Sequence, residues 1–157
     1  MCIINTMDYK TDEEKMKVAL EQAEIAMSNN EVPVGSIVVF ENKIIGRGFN
    51  QTLLKNSVTC HAELIAINNA CNYLDNYRLN GCIIFSTLEP CHMCAKAIVD
   101  ARIKKLYFGA KEPKTGAIVS VDNFFEKPFL NHKVEFEGGF LEAESIEALQ
   151  HFFQKRR

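Results

Sequence analysis

The chain has 157 residues, of which 47% are hydrophobic and 24% charged, and its formal net charge is −2. This length fits one domain with a sizeable core, and this composition excludes an intrinsically disordered chain. The slight negative charge argues against a protein that coats nucleic acid nonspecifically, although the basic residues at the C-terminus could form one local basic patch.

A cytoplasmic location is predicted by default, because the sequence shows neither a membrane-spanning run nor a secretory signal. No apolar run approaches the roughly 18 residues needed to span a membrane, so no membrane partner is expected. Residues 1–12 contain no basic segment followed by an apolar stretch, and no secretory signal is therefore predicted. We expect reduced thiols at the six cysteines, some of them as metal ligands. The six are Cys2, Cys60, Cys71, Cys82, Cys91 and Cys94.

Apolar residues recur at helical spacing near the start of the chain and predict a first helix over residues 12–29. A β-rich stretch, a turn at Glu41-Asn42 and a second β-rich stretch predict a hairpin over residues 34–48. The remaining elements, in chain order, are helix 61–75, strand 82–85, helix 91–102, strand 105–108, strand 134–136 and helix 141–155. This succession favours an α/β layer structure with a mixed sheet, a hairpin at one end and parallel strands after it.

Two short segments bring together side chains of the types that bind metal ions. They read TCHAE over residues 59–63 and PCHMC over residues 90–94. Each falls at a predicted helix start, because His61 and Glu63 open the second helix and Pro90 with Cys91 opens the third. Pro90 suits the first turn of a helix, where its missing N–H is not needed. One imidazole, two thiols and one carboxylate are the components of a catalytic zinc site.

The spacing explains how these side chains can serve one metal ion. Cys91 and Cys94 are three residues apart and so share a helix face, and the N-terminal end of a helix favours thiolates. His61 would complete three protein ligands to Zn²⁺ and leave a fourth position for water, whose pKa then falls to roughly 7. Glu63, two residues after His61, suits proton transfer better than ligation.

Two other interpretations of these segments stay open at this point. A closed zinc site would need a fourth protein ligand, for which His92 and Cys60 are the local candidates. The two thiols could instead be inert core cysteines, as we expect for Cys71 and Cys82, which lie in apolar stretches. Both alternatives are disfavoured, because H-x-E together with P-C-x-x-C is the signature of zinc deaminases.

With these motifs the chain resembles the cytidine-deaminase superfamily, and within it the bacterial-type tRNA-specific adenosine deaminases. Its marks are EVPVG (31–35), GFN (48–50), HAE (61–63), NYRL (76–79), TLEPC (87–91), FGA (108–110), KTG (114–116), NHKVE (131–135) and FF (152–153). The zinc motifs indicate only the superfamily, and the other segments point to the tRNA branch. The resemblance implies a three-layer α/β/α fold with a five-stranded mixed sheet flanked by helices. It also implies a single zinc-binding deaminase domain over residues 1–157.

The resemblance implies a role for each residue of the motifs. His61, Cys91 and Cys94 would bind one Zn²⁺ per subunit, and Glu63 would be the general acid and base. The reaction would be hydrolytic deamination of the wobble adenosine in a tRNA anticodon loop to inosine. The target adenine must leave its stack before its C6 can be attacked.

The substrate pocket would be formed by residues from several segments. Asn50 would hydrogen-bond the flipped base, between apolar walls formed by Val34 and Leu88. Ala62 and the backbone N–H groups near Pro90 would line the metal-bound hydroxyl. Without the resemblance, Asn50 would be interpreted as a turn residue and the two apolar residues as plain core.

RNA contacts are expected from the C-terminal helix and from the loop that holds Glu112. Phe153 and Arg156 are candidates, together with Lys155 and Arg157, whereas Phe152 fits the core face of the helix. The resemblance further implies a homodimer. Three positions depart from the family pattern: Cys60 stands where Ala is usual, Glu112 stands where Asp is usual, and His92 occupies a variable position.

Two other functions are weighed against tRNA deamination. A small-molecule deaminase of the same superfamily would act on guanine, cytosine or a nucleoside, and the basic C-terminal helix disfavours it. A zinc-stabilised binding protein would not need the carboxylate of Glu63. Deamination of tRNA is therefore the principal prediction.

Overall fold

The protein is described by a computed structural model over residues 8–156. These residues form four helices, α1 (Asp12–Ser28), α2 (Ala62–Leu74), α3 (His92–Asp100) and α4 (Glu142–Gln154). They also form five strands, β1 (Gly35–Phe40), β2 (Lys43–Phe49), β3 (Ile83–Leu88), β4 (Lys105–Ala110) and β5 (Glu135–Glu137). The predictions that concern Cys2 and Arg157 lie outside the described residues.

The strands form one mixed sheet in the order β2-β1-β3-β4-β5. Strand β1 pairs antiparallel with β2 and β3, and β4 pairs parallel with β3 and β5. The hairpin lies at one edge, and the parallel strands follow it because helix α3 carries the chain from β3 back to the start of β4. The predicted mixed sheet is confirmed.

Helices cover both faces of the sheet. Side chains on successive positions of a strand point to opposite faces, so Val38 and Ile84 pack with helices α2 and α3, whereas Ile37 and Phe85 pack with α1. Helix α4 lies beside α1 on that second face. The protein therefore has three layers, α/β/α, and its central strands are buried on both sides.

Helix α2 lies unusually close to strand β2. A methyl group added at Gly48 would lie 2.2 Å from the backbone oxygen of Ala62, and one added at Gly46 would lie 2.3 Å from that of Ala66. Only glycine allows this approach, because real side-chain carbons do not come so near to backbone atoms. The first turn of α2, which holds Glu63, is thereby pressed directly onto the sheet.

Two strands are longer than the sequence predicts. Strand β3 continues past the predicted end at Phe85 as far as Leu88, because its polar side chains are satisfied inside the protein. The Ser86 hydroxyl donates to the backbone oxygen of Leu88 at 2.8 Å, and Thr87 Oγ1 accepts from the backbone N–H of Gly35 at 3.1 Å. Strand β4 does not stop at Gly109, since Ala110 still pairs with Leu88.

Smaller differences concern the helix ends. Each helix is one to three residues shorter than predicted. Pro90 does not lie in the first turn of α3, because Cys91 is the N-cap residue and the helix begins at His92. A short 3₁₀ turn, Phe124–Glu126, was not predicted. Its apolar residues Phe124 and Phe125 are buried against the α2–α3 side of the core.

The two cysteines that were expected to be small core residues lie away from the metal motifs. Cys82 is fully buried, and its burial raises the pKa of the thiol to about 11. Cys71 is partly buried, and burial likewise raises its thiol pKa. Both thiols therefore stay protonated and inert at neutral pH.

Candidate metal centre and substrate pocket

Three metal-binding side chains meet where helices α2 and α3 begin. His61 is the N-cap residue of α2, Cys91 is the N-cap residue of α3, and Cys94 lies in the first turn of α3. The Nδ1 atom of His61 lies 3.6 Å from Cys91 Sγ and 3.5 Å from Cys94 Sγ. The three ligand atoms all lie within 4.8 Å of one another.

These distances fit a tetrahedral metal ion. With Zn–S near 2.3 Å and Zn–N near 2.0–2.1 Å, a tetrahedron places nitrogen about 3.6 Å from sulfur. Two thiol ligands and one imidazole also suit a soft or borderline divalent ion better than Mg²⁺ or Ca²⁺. The donor set therefore fits zinc, and three protein ligands leave one tetrahedral position open.

The alternative of a closed site with four protein ligands finds no support in residues 8–156. Within these residues the cluster of possible metal ligands contains His61, Cys91 and Cys94. Neither Cys60 nor His92 belongs to it. The imidazole of His92 instead contacts the carboxylate of Asp122, with Nε2 at 2.9 Å from Oδ2. Cys60 directly precedes His61 in the sequence. Its side chain is partly buried, in keeping with a small structural residue.

Electrostatics in the cluster favour a bound cation. A hydrogen bond from Cys94, together with a contact to His61, lowers the pKa of the Cys91 thiol, and the hydrogen bond with Cys91 raises the pKa of the His61 imidazole. The same sulfur–sulfur hydrogen bond, with burial, raises the pKa of Cys94. The contacts within the cluster thus favour the thiolate of Cys91, and metal binding requires deprotonated ligands.

Glu63 provides a buried carboxyl group next to this cluster. It lies in the first turn of α2, is 4% exposed, and lines the same cavity as His61 and Cys91. Burial raises the pKa of its carboxyl group. A raised pKa makes a carboxyl group hold a proton more readily than an exposed one does, which suits a general acid and base.

The cavity next to the cluster has a volume of about 290 Å³, close to the lower end of the usual range for ligand pockets. Its walls include most of the residues that the sequence predicts for substrate binding. Those residues are Val34, Asn50, Ala62, Leu88 and Glu112. Pro90 is buried behind the wall, where its backbone oxygen accepts a hydrogen bond from the N–H of Ala117 at 2.9 Å.

Two predicted RNA contacts lie apart from the cavity. Phe153 and Arg156 line a separate groove of about 800 Å³, together with Lys111 and Lys114. Phe153 is 49% exposed, whereas Phe152 is buried, as the helix periodicity predicts. The guanidinium of Arg156 donates to the backbone oxygen of Asn30 at 2.6 Å and covers the ring of Phe152, so it is already engaged within the protein.

Sequence reasoning missed the residue that holds Asn50. Glu31 is 1% exposed, and its carboxylate accepts from Asn50 Nδ2 at 3.5 Å, from Thr52 Oγ1 at 3.3 Å and from the backbone N–H of Leu54 at 2.8 Å. Because a carboxylate only accepts hydrogen bonds, this contact fixes which end of the Asn50 amide faces Glu31. The only sequence signal for this role of Glu31 was its being the single acidic residue in the EVPVG segment.

A second missed residue is Glu89, which lines the cavity and is 2% exposed. Burial would raise the pKa of its carboxyl group, but hydrogen bonds from the Ser120 hydroxyl and from the backbone N–H groups of Val119, Ser120 and Glu112 outweigh burial and lower it. Hydrogen bonding therefore lowers the pKa of Glu89, whereas burial raises the pKa of Glu63, which lines the same cavity.

The sheet order and the His–Cys–Cys cluster beside a buried glutamate define a deaminase with the cytidine-deaminase-like fold, and the family model described as MafB19-like deaminase matches residues 10–157. The tRNA-specific adenosine deaminase of Haemophilus influenzae is 46% identical over 147 residues, which are 93% of this chain and 85% of that protein. The chain belongs to the tRNA-specific adenosine deaminases, as its motifs predict.

Two solved structures resemble the fold. One comes from work on A-to-I editing by tRNA:A34 deaminases at the wobble position; it is 44% identical, with a TM-score of 0.84 over 86% of this chain and 98% of that chain. The other is a guanine deaminase from Nitrosomonas europaea, with a TM-score of 0.80 over 93% of this chain and 86% of that chain. At 20% identity, the second likeness concerns the fold alone.

Within residues 8–156, each helix is too short or too polar to cross a membrane.

Proposed function

We propose that the protein is a zinc-dependent enzyme that deaminates the wobble adenosine of a tRNA anticodon to inosine. One observation carries the proposal: the cavity joins a three-ligand metal cluster to a buried carboxyl group of raised pKa, in a chain that belongs to the tRNA-specific adenosine deaminases. The whole chain would act as one deaminase domain, in the cytoplasm.

His61, Cys91 and Cys94 would hold the zinc ion. When bound, zinc lowers the pKa of a coordinated water and so supplies a nucleophile at neutral pH. Glu63 would accept a proton from the attacking water and deliver protons to N1 of the adenine and to the departing amino group. Water adds at C6 and ammonia leaves, so the overall reaction is hydrolysis of one carbon–nitrogen bond.

The remaining wall residues would position the base. Asn50 has one amide hydrogen directed to Glu31, and its other polar positions stay available to the ring edge of a purine. Val34 and Leu88 offer apolar surfaces to the faces of a flat ring. Ala62 and the backbone near Pro90 would line the reacting water, and Glu112 would approach the ribose or the RNA backbone.

An RNA substrate is favoured over a free base because a basic, aromatic groove adjoins the cavity. The segment from Lys111 to Thr115 forms the ridge between them, since Lys111 and Lys114 line the groove while Glu112 and Thr115 line the cavity. Neither lysine pairs with a carboxylate among the described residues. Both ammonium groups can therefore contact phosphates next to an extruded adenosine.

The groove gives a testable prediction. The double variant K111E/K114E should raise the KM for tRNA roughly tenfold or more and leave kcat nearly unchanged, because phosphate contacts affect binding and not the chemical step. Each lost phosphate contact should also reduce the slope of log KM against log salt by about 0.7. Steady-state kinetics at several salt concentrations measures both effects.

The control for the groove is K43E, which reverses one exposed charge at the start of β2, a position outside both the cavity and the groove. It should retain the wild-type KM and salt slope. A double variant whose KM and salt slope match those of K43E would show that the groove does not contact RNA. F153A, which removes the exposed ring, should raise KM in the same direction through lost base stacking.

We further propose that the protein is a homodimer. Several large apolar side chains are exposed in the described chain, and a partner subunit could cover some of them; they include Leu53 (65%), Val58 (80%), Tyr77 (69%) and Phe129 (69%). Light scattering coupled to size exclusion should give twice the chain mass. A monomeric mass at working concentration would contradict the dimer.

The function itself is tested with matched substrates. We expect the purified protein to form inosine in an arginine tRNA that carries a wobble adenosine, detected by mass spectrometry of the digested RNA. The same tRNA with guanosine at the wobble position is the control and should remain unmodified. Free adenosine, guanine and cytidine should release little ammonia.

The opposite pattern would support the small-molecule alternative. If free guanine, cytosine or a nucleoside releases ammonia and the tRNA gains no inosine, the proposed function is wrong. Guanine is included among these competitors because a guanine deaminase shares the fold.

A further inference from the structure

The carboxylate of Glu89 accepts hydrogen bonds from a single stretch of chain. Its Oε1 accepts from the backbone N–H of Glu112 at 3.1 Å and from the Ser120 hydroxyl. Its Oε2 accepts from the backbone N–H groups of Ile118 at 3.0 Å, Val119 at 2.8 Å and Ser120 at 3.0 Å. All five donors lie between residues 112 and 120, a segment without helix or strand structure.

This segment is folded closely around the carboxylate. A methyl group added at Gly116 would lie 2.4 Å from Glu89 Cδ and 2.5 Å from Oε1, so only glycine fits there. The N–H of Ala117 donates to the backbone oxygen of Pro90, which ties the same segment to the residue after Glu89. Buried N–H groups need acceptors, and four N–H groups of this segment find theirs in the side chain of Glu89 instead of in a neighbouring strand.

The position of the segment matters for the cavity. Glu112 and Thr115 line the cavity, and Lys111 and Lys114 line the adjoining groove. Glu89 also follows β3 directly and precedes the metal-type ligand Cys91 by two residues. One carboxylate therefore connects the element that holds the metal cluster to the loop that forms the rim of the cavity.

We propose that Glu89 is a positioning residue that holds the 111–120 segment in the conformation needed to bind the RNA substrate. Its oxygens are fully engaged by the segment, so it takes no part in proton transfer. Glu89 acts by fixing the positions of Glu112, Thr115 and the two lysines. This inference rests on the proposed function and names a further determinant of substrate binding within it.

The test compares E89Q with the wild-type protein. Glutamine has nearly the same shape but offers one acceptor oxygen instead of two, and its NH₂ group faces N–H donors. We expect amide hydrogen exchange at Ile118, Val119 and Ser120 to become at least about tenfold faster. We also expect the KM for a tRNA with a wobble adenosine to rise roughly 10- to 100-fold, with kcat little changed and zinc content unaltered.

The matched control is E41Q, a carboxylate exposed on the turn between β1 and β2, which should leave exchange and KM unchanged. If E89Q does not fold, S120A decides the matter, because it keeps the carboxylate and removes one donor. It should accelerate exchange and raise KM in the same direction, by a smaller factor.

Unchanged exchange and unchanged KM in E89Q, or in S120A where E89Q is unfolded, would overturn the inference. So would a fall in kcat at constant KM, because that pattern belongs to a residue acting on the chemical step. Failure of the proposed function is recognised separately: the wild-type protein would then form no inosine in tRNA. The exchange rates would still report whether Glu89 holds the segment.

Discussion

E63Q is expected to lower the rate of inosine formation by roughly 10³- to 10⁴-fold, the upper part of the range for loss of a general acid and base. Glutamine preserves the size of the buried side chain but cannot carry a proton between water and the adenine ring. Glu63 is not one of the three metal-type ligands, so the variant should bind as much zinc as the wild-type protein. Single-turnover assays with tRNA and elemental analysis measure the two properties.

The comparison variant for E63Q is again E41Q, whose carboxylate is exposed and distant from the cavity. It should retain full activity. An E63Q protein that contains zinc and still forms inosine at the wild-type rate would refute the assignment of Glu63 as proton carrier. Loss of zinc from E63Q would instead show that this carboxylate supports the metal.

The second large effect is expected from C94A, which should reduce bound zinc from one per chain to nearly none and abolish inosine formation. Two remaining ligands cannot hold the ion at working concentrations. Stability should fall as well, because a ligand present at 1,000 times its dissociation constant stabilises the folded state by about 4 kcal/mol. Metal analysis and urea unfolding, each with and without a chelator, measure these changes.

Cys82 offers a matched control for C94A, because both thiols are fully buried. C82A creates a similar small cavity in the core but removes none of the possible metal ligands. It should keep its zinc and its activity, and a chelator should destabilise it as much as the wild-type protein. A C94A protein that retained one zinc ion per chain would contradict the three-ligand site.

The metal centre could be predicted from sequence because its ligands lie in two short motifs of metal-binding side chains, each at a helix start. Cys91 and Cys94 are joined by a single helical turn, and His61 is the N-cap residue of α2, so each motif can be recognised locally. The same holds for Phe152 and Phe153, whose inward and outward positions follow from helical spacing. The cavity wall could not be predicted from local patterns, since the base-binding role of Asn50 was expected only from the family resemblance.

What escaped prediction depends on contacts between distant backbone segments. Glu31 and Glu89 bond to groups about 20 to 30 residues away, and most of those groups are backbone N–H donors that every residue type carries. No side-chain pattern marks such donors in advance. The end of β3 was missed for a related reason, because Ser86 and Thr87 look like turn residues until their buried partners are known.

Helix α2 packs closely on the glycines of β2, and this close packing has a consequence for how substrate preference can diversify. His61 and Glu63 lie at a helix start that is packed tightly against the sheet, whereas Asn50, Thr52, Glu112 and Thr115 of the cavity wall come from loops. Changes in those loops leave the reactive centre undisturbed. A common scaffold can therefore acquire new substrates through its rim alone, while its chemistry stays constant.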